Sequence, residues 1–173
     1  MYPDWVLKNH ENHTESLEER LIKELADRKY TITTAESCTG GLIAGTLVNV
    51  AGASDVLHEG YITYSNEAKE RLVGVYRATL QEYGAVSAQT AKEMAEGAAR
   101  SAGAEVALSS TGIAGPGGGT KEKPVGLVYV GCYVCGHTAV ARCEFKGDRM
   151  ENRLMTVEKA LSLALEELKT MDP

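Results

Sequence analysis

The chain has 173 residues, 43% of them hydrophobic and 24% charged, with a formal net charge of -6. That is the size and composition of one globular domain with a real core. The acidic balance speaks against wholesale nucleic-acid binding, which needs a basic footprint, and it requires any phosphorylated substrate to be held by local cations.

In chain order, residues 1–15 are polar and irregular and read as an N-terminal extension. They lack the basic and apolar regions of a signal peptide. No stretch approaches the roughly 20 apolar residues of a membrane span. A cytoplasmic protein with reduced cysteines and no membrane partner is therefore expected. Ser16-Leu17-Glu18-Glu19 has the form of a capping box, and Leu17, Leu21 and Leu25 follow at helical spacing, so the first helix should end near Arg28. The β-branched run Tyr30-Thr31-Ile32-Thr33-Thr34 predicts a strand over 30–35, followed by a helix over about 39–49.

After the loop 51–54, residues 57–64 read as a strand, and Ser65-Asn66 caps a short helix over 67–73. Ser87 caps another, in which Ala88, Ala91, Met94, Ala95, Ala98, Ala99 and Ala102 form a small-residue face suited to close packing on a sheet or on a symmetry mate. Residues 105–111 predict a strand running into a Gly-rich loop at 112–119. Val125 to Val134 is a near-continuous apolar strand, Gly136-His137 a tight turn, and 138–145 the returning hairpin strand. Gly147-Asp148-Arg149 leads into a last helix with Leu154, Val157, Leu161, Ala164, Leu165 and Leu168 on its buried stripe. Alternating helices and strands followed by a hairpin imply an α/β fold, a three-layer α/β/α sandwich with a mixed sheet. No repeat or linker divides residues 16–173, so they form a single domain.

Chemistry concentrates in four places. Ser37, in Ala35-Glu36-Ser37-Cys38-Thr39-Gly40-Gly41, stands where a strand turns into a helix. It can cap that helix, hold an anion on the unpaired N–H groups of a helix start, or act as a nucleophile if a base is in reach. The Gly-x-Ser-x-Gly elbow of α/β-hydrolases is absent. Tyr64 ends a strand and Lys69 follows one helical turn in, where a desolvated lysine can steer a phosphate or serve as a base, or simply be solvated. Thr111 opens the loop Gly112-Ile113-Ala114-Gly115-Pro116-Gly117-Gly118-Gly119, which is neither a Walker A loop nor a dinucleotide fingerprint. Arg149, at a helix start, can fork a phosphate or lie on the surface. Cys132, Cys135, Cys143 and His137 do not suggest a metal site. Cys132 and Cys135 fall on opposite faces of a predicted strand, and no second Cys-x-x-Cys exists. The histidines His10, His13, His58 and His137 are poorly placed for a Ser-His-Asp triad.

Taken together, Ala35 to Gly41, Tyr61-Ile62-Thr63-Tyr64-Ser65-Asn66-Glu67-Ala68-Lys69, Gly84-Ala85-Val86-Ser87, Thr111 to Gly118 and Pro124-Val125-Gly126 resemble the CinA C-terminal domain family, over about residues 17–169. That family includes nicotinamide mononucleotide amidohydrolases. The resemblance implies hydrolysis of the carboxamide of nicotinamide mononucleotide to nicotinate mononucleotide and ammonia, with no cofactor and no metal. Ser37 would be the nucleophile and Lys69 its base, with Tyr64 and Thr111 completing the hydrogen-bond network. Cys38, Thr39, Gly40 and Gly41 would offer N–H groups to the oxyanion. Gly112, Gly115, Gly117, Gly118 and Arg149 would hold ribose or phosphate. The expected partners are this small nucleotide and a second copy of the chain, a homo-oligomer. The large N-terminal domain of longer relatives is replaced by a short Trp-containing extension, so a stand-alone deamidase is expected. The rival reading is a non-catalytic nucleotide-binding module of the same family.

Overall fold

The structure, a computed structural model, describes residues 15–171. All but the last residue of the 1–15 extension lies outside them. The elements run α1 (Leu17–Arg28), β1 (Ile32–Glu36), α2 (Leu42–Leu47), β2 (Tyr61–Ile62), α3 (Asn66–Val73), α4 (Arg77–Tyr83), α5 (Ala88–Ala102), β3 (Val106–Gly112), β4 (Leu127–Val134), β5 (His137–Glu144) and α6 (Arg149–Thr170). The strands form one mixed sheet in the order β2-β1-β3-β4-β5. The first three run parallel, while β4 and β5 are antiparallel to their neighbours.

Strand alternation divides the core in two. Ile32, Val106, Leu108, Val128, Val130 and Val134 pack with Leu21, Leu25, Ile43, Leu47, Val157, Leu161 and Leu168 of α1, α2 and α6. Ala35 and Ala107 point the other way and meet Val73, Leu80, Met94 and Ala98 of α3, α4 and α5. This is the expected three-layer sandwich. The small-residue face of α5 is spent inside the molecule, against the sheet and α3. The approach is close enough that a Cβ at Gly97 would stand 1.7 Å from the Val73 carbonyl oxygen.

Three stretches and one added helix depart most from the sequence reading. The expected strand 57–64 pairs only at Tyr61–Ile62, with an isolated bridge from Leu57 to Ile32. Between them the Thr33 hydroxyl donates to the Glu59 carbonyl, so a side chain replaces the backbone ladder. Helix α2 is shorter than 39–49 because Gly40 and Gly41 adopt positive φ angles of 59° and 101°, which hold off the first turn. The hairpin turn is Cys135-Gly136, with φ 46° and 99°, and β5 begins at His137. Cys135 is therefore a turn residue, and the argument from opposite strand faces does not apply to it. Helix α4 was not expected. Its cap comes from another helix: Glu93 of α5 accepts from the Tyr76 N–H at 2.9 Å and from the Thr79 hydroxyl at 2.6 Å.

Candidate active site

The C-terminal ends of the three parallel strands converge, which is where open α/β sheets hold ligands. Residues following β1, β2 and β3 line a cavity of about 250 Å³ that holds Ser37, Tyr64, Asn66, Lys69, Thr111 and Arg149. Its lining includes no carboxylate, so Lys69 and Arg149 make it a positive spot on a chain of net charge -6. A second cleft, lined by Pro116, Val125, Asp148 and Met150, adjoins it through Ala114 and Arg149.

Period-two alternation sends the Glu36 side chain toward α2 and, one residue on, Ser37 toward α3. There Lys69 is only 1% exposed, a lysine fixed in the interior by a helix whose start is capped by the Ser65 hydroxyl. Its Nζ donates to Ser37 Oγ at 3.1 Å and to the Thr63 carbonyl at 2.8 Å. Burial pulls the Lys69 ammonium down to about 8, against weaker opposition from Cys38 and Glu67. Roughly a tenth of the lysine is then neutral at pH 7. A neutral amine at this distance can accept the serine proton. Burial pushes the neighbouring Cys38 thiol up to about 11, so it stays protonated and does not compete as a nucleophile.

The turn that carries Ser37 is pinned from both sides. Glu36, wholly buried, accepts at Oε2 from the Thr39 hydroxyl (2.6 Å) and from the Gly41 and Ile43 N–H groups (3.0 Å each), and at Oε1 from the Ala44 N–H (2.9 Å). The start of α2 is thus already filled by the protein's own anion. On the other side, Arg153 of α6 donates from Nε to the Cys38 carbonyl (3.0 Å) and from Nη2 to the Thr39 carbonyl (2.9 Å). The Ser37 N–H goes to Ser110 O, Gly40 N–H to Ser37 O, and Leu42 N–H to Thr39 O. From residue 37 to 44, only the N–H groups of Cys38 and Thr39 are left without an acceptor among the described residues. The sequence reading missed Glu36 and Arg153. Glu36 lies within the Ser37 motif, and the signal for it is an acid on a strand that otherwise reads as buried, which requires donors around it.

The remaining expected residues divide. Tyr64 and Thr111 line the cavity, but their hydroxyls are engaged elsewhere. Thr111 donates to the Ala85 carbonyl at 2.6 Å, and Tyr64, 62% exposed, accepts from Arg149 Nη2 at 3.1 Å. Arg149 also donates from Nη1 to the Gly115 carbonyl at 2.7 Å, so its fork is oriented over the cavity mouth. Gly112 lines the cavity, where a Cβ would collide with Val128. Gly117 and Gly118 are exposed and line neither cleft, and Gly40 and Gly41 shape the turn behind Ser37. Among the described residues, no group of three or more His, Cys, Asp or Glu could hold a metal ion, and no helix is long and apolar enough to cross a membrane.

A three-layer α/β/α domain with a half-buried serine on a buried lysine at its parallel strand ends is the class that fold and site define. The CinA C-terminal domain profile matches residues 14–168, and the chain belongs to that family. A Clostridium perfringens protein described as competence-damage inducible is 52% identical over 157 residues, 91% of this chain and 38% of that one. A CinA-like protein of Kosmotoga olearia is 59% identical over 139 residues, 80% of this chain and 34% of the relative. The chain thus spans little more than a third of the curated relatives it matches. Among solved structures, the competence/damage inducible protein CihA of Agrobacterium tumefaciens superposes with a TM-score of 0.86 at 45% identity, covering 90% of this chain and 94% of that one. The competence damage-inducible protein A of Klebsiella pneumoniae gives 0.88 at 35% identity, covering 93% and 100%.

Proposed function

We propose that this domain is a serine-type amidohydrolase that deamidates nicotinamide mononucleotide to nicotinate mononucleotide and ammonia. The observation that carries the reading is the 3.1 Å contact between Ser37 Oγ and a buried Lys69 whose ammonium is pulled down to about 8. A structural lysine gains nothing from such a place, whereas a base that works near neutrality needs it.

In the proposed reaction, neutral Lys69 takes the Ser37 hydroxyl proton as Oγ bonds to the carboxamide carbon. The carbonyl electron pair moves onto oxygen, where the Cys38 and Thr39 N–H groups receive it. The C–N bond then breaks, and the Lys69 ammonium delivers its proton to the leaving amine, which departs as ammonia. Water, deprotonated by the same lysine, attacks the ester, releases the carboxylic acid and restores Ser37. The small cavity suits the nicotinamide end, and the adjoining cleft with Arg149 suits the ribose phosphate. Arg149, shared by the two clefts, favours an anionic substrate over free nicotinamide, although Asp148 also stands on the wall of the second cleft.

Ammonia release across free nicotinamide, nicotinamide riboside, nicotinamide mononucleotide and nicotinamide adenine dinucleotide tests the reading. The mononucleotide should be turned over with the highest kcat/KM. Equal turnover of free nicotinamide would remove the role given to Arg149 and the second cleft.

A further inference from the structure

We propose that Arg153 is a positioning residue that presents the oxyanion-binding N–H groups, acting through the backbone of the Ser37 turn and not on the substrate; this rests on the hydrolase reading above. Of Cys38, Thr39 and Arg153, only Cys38 lines the cavity; Thr39, wholly buried, and Arg153 do not. Arg153 makes no ion pair with a carboxylate among the described residues, so its charge is directed at two neutral carbonyls, those of Cys38 and Thr39. Partly buried guanidinium groups ordinarily find a carboxylate. Spending one on consecutive peptide carbonyls calls for another reason.

Peptide geometry supplies it. The Cys38 carbonyl and the Thr39 N–H belong to one trans peptide and point opposite ways. Anchoring that carbonyl on Arg153 turns the Thr39 N–H away from α6. The cation also polarises the peptide and strengthens its N–H as a donor. Glu36 fixes the other end of the same turn by its N–H groups, at Gly41, Ile43 and Ala44. An anion grips the donors and a cation grips the acceptors, and the two N–H groups left between them are those of Cys38 and Thr39. A planar fork holds the two carbonyls from two separate nitrogens in one fixed geometry, which the single nitrogen of an ammonium does not reproduce, so lysine is an incomplete substitute.

The test compares wild type, Arg153→Gln and Arg153→Lys by two readouts. One is amide turnover. The other is phosphorylation of Ser37 by diisopropyl fluorophosphate, followed by intact mass; there Oγ bonds to phosphorus, fluoride leaves, the proton passes to Lys69, and the phosphoryl oxygen takes the oxyanion position. Arg153→Gln should lower both kcat and the labelling rate about 10–100-fold. KM should stay within about threefold, and the pH midpoint set by Lys69 should not move. Arg153→Lys should fall between, and it decides the matter if the glutamine variant does not fold. Wild-type kcat and labelling in a folded variant, or a raised KM with kcat intact, overturns the inference. If wild type hydrolyses no amide yet is labelled at Ser37, the substrate reading fails, while the labelling rates still decide the role of Arg153.

Discussion

Lys69 Nζ and Ser37 Oγ stand 3.1 Å apart although 32 residues separate them in the chain. The parallel pairing of β1 with β2 brings them together, because β2 leads directly into the helix that buries the lysine. The same burial that makes the ammonium costly makes the amine available.

The pH dependence follows from that lysine. Neutral Lys69 is the working form, so activity is lost as pH falls through about 8. A pH–rate profile of kcat/KM should rise with unit slope, bend near pH 8 and level above it. Lys69→Met, which removes the base and the buried charge together, should lower kcat by about 10²–10⁴-fold with the fold retained.

Stability should show the opposite side of the same shift. A lysine whose folded pKa lies near 8, against an ordinary 10.5, penalises the folded state below pH 8, and the penalty fades as pH rises to 10.5. Lys69→Met should therefore gain on wild type most at pH 7 and lose that margin toward pH 10. Urea denaturation at the two pH values measures it; a margin independent of pH contradicts the buried-charge account.

Glu36→Gln removes one acceptor oxygen and brings an NH2 group against donors. Oε2 alone accepts three hydrogen bonds. One amide oxygen cannot serve both it and the Ala44 N–H. The loss should be about 2–4 kcal/mol in denaturant unfolding, with activity falling as the Ser37 turn loosens.

Gly97→Ala should cost at least ~2 kcal/mol, because its methyl would overlap the Val73 carbonyl and force α3 off α5. Since α3 carries Lys69, kcat should fall with it; unfolding curves and turnover on the same sample check both.

The layers were legible because the patterns that make them are local. The Ser16 capping box, the apolar stripe of α6 and the run of β4 each lie within one segment, and the structure follows them. What was not legible comes from distant partners. Helix α4 has no cap of its own and depends on Glu93, seventeen residues on from Tyr76. Helix α2 begins without a side chain from its own N-cap residue and takes its carboxylate from the last residue of β1. The motif around Ser37 pointed to a helix start with free N–H groups. Glu36 fills three of those groups and backbone carbonyls fill the others but two, which we assign to the control of Arg153, more than a hundred residues away.

Ammonia release from nicotinamide mononucleotide by wild type and by Ser37→Ala tests the central claim most directly. Ser37 Oγ bonds only to Lys69 among the described residues, so the alanine variant should keep the fold. The account predicts steady release by wild type and a loss of about 10³-fold or more in the variant, at unchanged Tm. Turnover by folded Ser37→Ala at the wild-type rate would contradict it.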